Sequence, residues 1–318
     1  MKSAKQTGTT AGLAIVLTAM AASSATGGES PALRVAGDAP SLTITDGRQQ
    51  VLHYAWENVS HKPYVKSLLS AGGLNVLRDA PADHKHHHGI MFAVAADGID
   101  FWSETRANGI QASRQPPEFR MEQRGPTPCG VIRHTLDWKS PEGRAILEEQ
   151  RIIEIPLVDG ADKVRLLTWR TQLKPAADRQ AVRLAGSHYF GLGLRFPASM
   201  DNAAQFLFAD RKEPGPVVRG DERVTPARWC AVLGNIDGKP VTIAVFDHPG
   251  NAPHAAHFFT MSKPFAYLSA TINLWKQPLE MAPDRPLKLC YGVAVWDGQV
   301  GGDEIDRIVG QWMNLLSK

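Results

Sequence analysis

Leu42-Thr43-Ile44-Thr45-Asp46-Gly47-Arg48-Gln49-Gln50-Val51-Leu52-His53-Tyr54-Ala55-Trp56 reads as two strands folded about an Asp-Gly turn. The flanks are rich in β-branched and aromatic residues, and Asp-Gly accepts the backbone angles a hairpin demands. Outward from this hairpin the same grammar recurs. Apolar runs at 131–138, 145–155, 164–173, 188–196, 241–247, 267–274 and 287–296 are separated by turn-forming clusters such as Pro141-Glu142-Gly143 and Asn235-Ile236-Asp237-Gly238. Many short strands with turn signals between them predict an all-β chain built as a large antiparallel sandwich. The end differs. Ile305, Ile308, Val309, Trp312, Met313 and Leu316 recur at steps of three and four, which predicts an amphipathic C-terminal helix with Asp303 and Glu304 in its first turn. Residues 201–228, rich in Pro, Gly and charge, read as a long irregular excursion, either a lid or a surface insertion.

The first 25 residues carry Lys2 and Lys5, an apolar stretch from Ala11 to Ala22 and the small residues Ser23-Ser24-Ala25. That pattern predicts a signal peptide cleaved near Ala25, export to the periplasm or medium, a linker over 26–40, and a single domain over 41–318. No later stretch approaches the roughly 20 apolar residues of a membrane helix. Removing Lys2 and Lys5 from the 35 basic residues leaves 33 against 32 acidic ones. So even a balance gives no reason to expect nucleic acid or an anionic surface as partner. There is no βα alternation, no G-x-G-x-x-G and no P-loop, which argues against a nucleotide enzyme. Cys129, Cys230 and Cys290 allow one disulfide and one free thiol, or buried inert thiols.

The chemistry concentrates in Asp83-His84-Lys85-His86-His87-His88-Gly89, which leads into the apolar run 90–95. On an extended backbone His84, His86 and His88 would share one face and His87 the other. Three imidazoles on one face suit a divalent metal, with Gly89 permitting a kink. They equally suit acid–base work or hydrogen bonding to a sugar. Asp100, Trp102 and Glu104 follow closely. A second constellation, Asp247-His248-Pro249-Gly250-Asn251-Ala252-Pro253-His254-Ala255-Ala256-His257, closes an apolar strand. Polar groups on such loops build sites, although Asp, Asn and Pro also build ordinary turns. Neither cluster alone satisfies its polar groups, so the two are expected to meet in space.

The pairing of D-H-x-H-H-x-G, then D-F-W, with a late D-H-P-x-N-x-x-H resembles the DUF6807 family, also labelled methane oxygenase PmoA or PmoA-like. The resemblance runs from about Leu42 to Gly298. It implies a supersandwich similar to galactose mutarotase and a link to carbohydrates. The family's label names methane oxidation, which belongs to a membrane complex; the absence of a spanning segment in the mature chain argues against it. The expected function is therefore an exported carbohydrate-active protein, an epimerase or mutarotase, lyase or hydrolase, with a small-molecule carbohydrate as partner. A non-catalytic carbohydrate-binding or structural module is the alternative. Candidate catalytic residues are His86, His88, Asp100, Glu104, His188, Asp247, His248 and His254. Candidate substrate contacts are Arg78, Asp83, Trp102 and Asn251, with Trp56 a further aromatic for stacking. A divalent metal, the one cofactor considered, would sit on His84, His86 and His88.

Overall fold

The hairpin forms as read. Strands Ser41–Thr45 and Gln50–Ala55 pair antiparallel, with Leu42 opposite Tyr54 and Ile44 opposite Leu52. Asp46 donates its amide to the Gln49 carbonyl at 3.1 Å, and Gly47 takes a φ of 82°, which glycine adopts without steric cost. The computed structural model describes residues 33–36, 41–47, 49–158, 164–210, 213–252 and 256–317. All of them fall within one compact unit, Pro31–Lys318.

Among the described residues two large sheets dominate. Strand Arg34–Ala36 opens a ten-stranded sheet and pairs with the hairpin, and the sheet continues through Tyr64–Leu68, Ile90–Ala93, Gly191–Arg195, Tyr267–Thr271, His257–Met261 and Glu222–Pro226 to Val217–Arg219. A nine-stranded sheet runs from Gln205–Phe208 through Trp229–Ile236, Lys239–Asp247, Leu287–Asp297, Val164–Pro175, Ala145–Pro156 and Thr127–Lys139 to Ile110–Ser113, with Glu118–Arg124 paired beside Thr127–Lys139. Its long strands pair antiparallel. A small four-stranded sheet joins Ala95–Ala96, Ile99–Asp100, Val182–Ala185 and Leu279–Met281.

Period-two alternation explains the layers. On Leu287–Asp297, Val293 and Val295 join the core between the sheets, while Ala294 and Trp296 face a second core under the helix. The neighbouring strand repeats this with Ile243 and Val245 inward, Ala244 and Phe246 outward. Helix Gly302–Leu316 covers that outer face with Ile305, Ile308 and Trp312. The Trp312 indole donates to Thr168 Oγ1 at 2.9 Å. A Cβ on Gly292 would sit 2.9 Å from that indole, so glycine there makes room for it.

Between the sheets lies a buried polar lock. Arg151, fully enclosed, donates from Nε and Nη2 to the two oxygens of Glu149, both at 2.8 Å, and to Gln111 and the Pro63 carbonyl. Trp138 and Thr171 donate to the same carboxylate. Two ionised groups this deep persist because each is hydrogen-bonded as well as paired. Trp56, half-buried, packs against the core beside His134, its ring 6.1 Å away.

Two expectations need correction. The excursion over 201–228 is not irregular throughout: it contributes strands Gln205–Phe208, Val217–Arg219 and Glu222–Pro226. The strand read from His188 begins only at Gly191. The three cysteines are all free and buried, so no disulfide forms. Burial pushes the Cys129 and Cys290 thiols up to about 12, which leaves them protonated and inert. No helix among the described residues is long and apolar enough to cross a membrane.

Candidate functional site

The histidine run is not extended. The His84 amide donates to the Pro81 carbonyl, the His87 amide to the His84 carbonyl, and the Ala80 amide to the His87 carbonyl, each at 2.9 Å. Two consecutive turns of this kind bring residues three apart onto one face, as in a helical turn. His84 and His87 therefore stack, with ring centroids 4.7 Å apart, and His86 meets His87 edge-on at 4.5 Å. His87, rather than His88, joins His84 and His86.

These three imidazoles line a cavity of about 280 Å³. Its other walls come from the ten-stranded sheet and adjoining loops. Phe259 and Met261 share one face of His257–Met261, Tyr267 stands opposite Met261 in register, and Phe265, Tyr189 and Ser103 lie on loops. The rim carries Glu222 and Arg219, from the strand pair inside the supposed excursion. One Glu222 oxygen accepts from Arg219 at 2.6 Å and the other is bonded to His188 Nε2 at 2.9 Å. His188 thus reaches the cavity through Glu222.

Two of the cavity imidazoles, His86 and His87, are held neutral. Burial, then the nearby His86 and His84, push His87 down to about 2; burial, then Lys62 and His84, also hold His86 below its ordinary value. Asp83 is exposed and bonded to His84 Nδ1 at 3.0 Å.

Behind the cavity His88 serves a separate network. Its Nδ1 donates to Asp79 at 2.7 Å and its Nε2 to Glu104 at 2.9 Å, with Tyr64 stacked on the ring at 3.8 Å. The same Glu104 oxygen accepts from Lys62 Nζ at 2.5 Å; that ammonium, wholly buried, also donates to the Trp102 carbonyl at 3.0 Å. Burial opposes both charges, yet the carboxylate bonds prevail and raise His88, while His88 and Lys62 hold Glu104 down at about 2. With both ring nitrogens engaged, His88 has no lone pair to offer a metal. Among the described residues no three His, Cys, Asp or Glu side chains converge on a metal position.

The remaining candidates divide. Asp100 accepts the amides of Trp102 and Ser103 at 2.6 and 3.2 Å, a turn that fixes the Trp102 indole. Trp102 is buried and stacks on Phe190 at 5.1 Å. Arg78 bonds Asp201 at 3.5 Å. Asp247, His248 and Asn251 do not line the cavity. Asn251 bridges Asp247 and the backbone of Cys290, Asp247 also takes the Ala256 amide, and His248 accepts the Gly250 amide and abuts Trp312. They tie a turn together. His254 lies outside the described residues. Among the described residues of that second stretch, none lines the cavity. Sequence reasoning missed Glu222, Arg219, Tyr189, Phe259, Phe265 and Tyr267. The one available signal was Phe265-Ala266-Tyr267, two aromatics at strand spacing beside a turn.

Residues 41–310 match a family of unknown function, DUF6807. The chain belongs to that family. No curated protein matches. Among solved structures, a GH36 α-galactosidase variant from Geobacillus stearothermophilus in complex with raffinose is similar at 12% identity and a TM-score of 0.42, over 78% of this chain and 40% of that one. A TPR-domain containing protein from Parabacteroides distasonis is similar at 10% identity and a TM-score of 0.39, over 82% of this chain and 48% of that one. The DUF6807 chain thus spans less than half of either structure.

Proposed function

We propose that this DUF6807 chain is an exported carbohydrate-active enzyme that binds a sugar or glycoside in the cavity of His84, His86 and His87. One observation carries the reading: neutral imidazoles, a carboxylate and aromatic walls face a single cavity. A sugar ring has hydroxyl edges, which require donors and acceptors, and C–H faces, which pack on aromatic surface. Its about 280 Å³ lies just under the range of roughly 300–1,000 Å³ that holds drug-sized ligands. That suits a ligand of one or two rings.

The Glu222 carboxylate, oriented by His188 and Arg219, can take a proton from the sugar at the start of a step and return it at the end, and the N–H of neutral His86 can hydrogen-bond the oxygen on which negative charge develops. Hydrolysis of a glycoside ordinarily uses two carboxylates across the bond. Among the described residues the lining holds one, Glu222, which favours proton movement within a sugar, as in epimerisation, mutarotation or elimination, over hydrolysis. The mutarotase-like sandwich that the family resemblance implies is in keeping with that choice. Methane oxidation has no place in this reading.

The test is turnover. The purified chain is mixed with reducing sugars and uronic acids, and anomeric exchange, epimers and unsaturated products are followed by NMR. Glu222→Gln should slow the reaction by roughly a hundredfold or more. Sugar binding without any turnover would favour the non-catalytic binding module. Export is part of the proposal: residues 1–30 fused to a reporter should carry it out of the cytoplasm with processing near Ala25, and an unprocessed cytoplasmic reporter would contradict it.

A further inference from the structure

Two residues that line the cavity carry a buried polar atom with no hydrogen-bond partner among the described residues, Tyr267 at Oη and His87 at Nδ1. The residues themselves are 1% and 7% exposed, both line the cavity, and their rings lie 4.9 Å apart. The indole Nε1 of Trp102 is in the same condition, its ring 6.3 Å from Tyr267 and 6.4 Å from His87. Proteins rarely leave such groups unpaired, because each forfeits its hydrogen bonds to water on burial.

The backbone is shaped to keep the hydroxyl where it is. A Cβ on Gly193 would fall 2.1 Å from Tyr267 Oη and 2.8 Å from the Trp102 ring, so only glycine leaves that space. The neighbouring sheet strand therefore accommodates a phenol that contributes no internal hydrogen bond.

We infer that Tyr267 and His87 form a recognition floor that grips one hydroxyl of the bound sugar and so set the specificity of the cavity. A sugar hydroxyl is both donor and acceptor. The Tyr267 phenol can serve as either, and a neutral imidazole offers a donor on one nitrogen and an acceptor on the other. The pair matches that dual character, and a ligand lacking the hydroxyl leaves both atoms unpaired. Sites of this kind reject the deoxy analogue far more strongly than a greasy pocket rejects an extra methylene. The inference rests on the carbohydrate reading above and adds which atoms select the substrate.

Tyr267→Phe removes Oη and little else, and two measurements read it. The first needs no ligand. The full chain carrying Tyr267→Phe should melt at the same temperature as the wild type or higher, since the lost hydroxyl made no bond in the empty protein. A lower melting temperature would show a structural partner and overturn the inference while leaving the carbohydrate reading intact. The second is calorimetric titration with D-galactose, D-glucose, D-mannose, the corresponding uronic acids and the monodeoxy forms of each neutral sugar. The wild type should bind one parent sugar at least about tenfold tighter than one of its deoxy forms. Tyr267→Phe should weaken the parent by a similar factor and hardly alter that deoxy form. Equal affinity of Tyr267→Phe and wild type for the parent overturns the floor alone. Preference for a uronic acid over every neutral sugar replaces the hydroxyl by a carboxylate and overturns it as stated. No binding of any sugar by the wild type removes both readings.

Discussion

Glu104→Gln should cost stability by several kcal/mol, because Glu104 holds two buried cations in place. Its carboxylate accepts from Lys62 at 2.5 Å and His88 at 2.9 Å, and the Lys62 side chain has no exposure. A carboxyl held at about 2 instead of 4.5 contributes roughly 3 kcal/mol to folding at pH 7. Breaking one partner of a buried pair costs about 3–5 kcal/mol, since the remaining charge is stranded. A loss of about 3–5 kcal/mol is therefore expected. Its pH dependence is distinctive. The folded carboxyl is depressed, so its contribution is complete above about 4.5 and disappears as the pH falls toward about 2. His87 and His134, whose burial holds them near 2 and 3, also make stability fall as the pH drops below 6.5, but in wild type and variant alike. His88 is raised, so its contribution is present below 6.5 and lost as the pH rises through its folded value. Chemical denaturation of both proteins from pH 3 to 8 isolates the Glu104 share as a difference. The gap should be widest near neutral pH and shrink in acid. A gap under about 1 kcal/mol at pH 7, the worth of an exposed ion pair, or one that does not vary with pH, would refute the network.

Arg151→Met should lower stability by about 3–5 kcal/mol, because Glu149 is left enclosed between the sheets without its ion-pair partner; denaturant unfolding checks it. Trp312→Ala should cost roughly 3–5 kcal/mol, as the helix loses its main anchor on Phe246 and Thr168; the same melts should show it. Sugar binding should survive exhaustive chelation, because the cavity imidazoles stack with one another and His88 is held by two carboxylates; titration before and after dialysis against a chelator decides this.

The fold was legible where burial imposes a period. Val293 and Ala294, or Val245 and Phe246, alternate because each face of that sheet has its own apolar cover. Ile305, Ile308 and Trp312 announced the helix for the same reason. Strands Val217–Arg219 and Glu222–Pro226 were not legible, because they sit at a sheet edge where charge and proline are tolerated. The site was legible as a composition, four histidines in five positions, but not as a geometry. Nothing local distinguishes an extended run from two tight turns, and that difference decides whether His87 or His88 enters the cavity. Glu222 lay out of sight because its role depends on pairing between residues far apart in the chain, Arg223 with Thr260 and Val224 with Phe259.

Calorimetric titration of the full chain with a panel of neutral and acidic monosaccharides, run beside His86→Ala, tests most directly whether this cavity is a carbohydrate site. Saturable binding of at least one sugar by the wild type, lost in His86→Ala while its melting temperature stays within a few degrees, is the predicted result. Sugar binding that persists unchanged in His86→Ala, or a wild type that binds none of the panel, would contradict it.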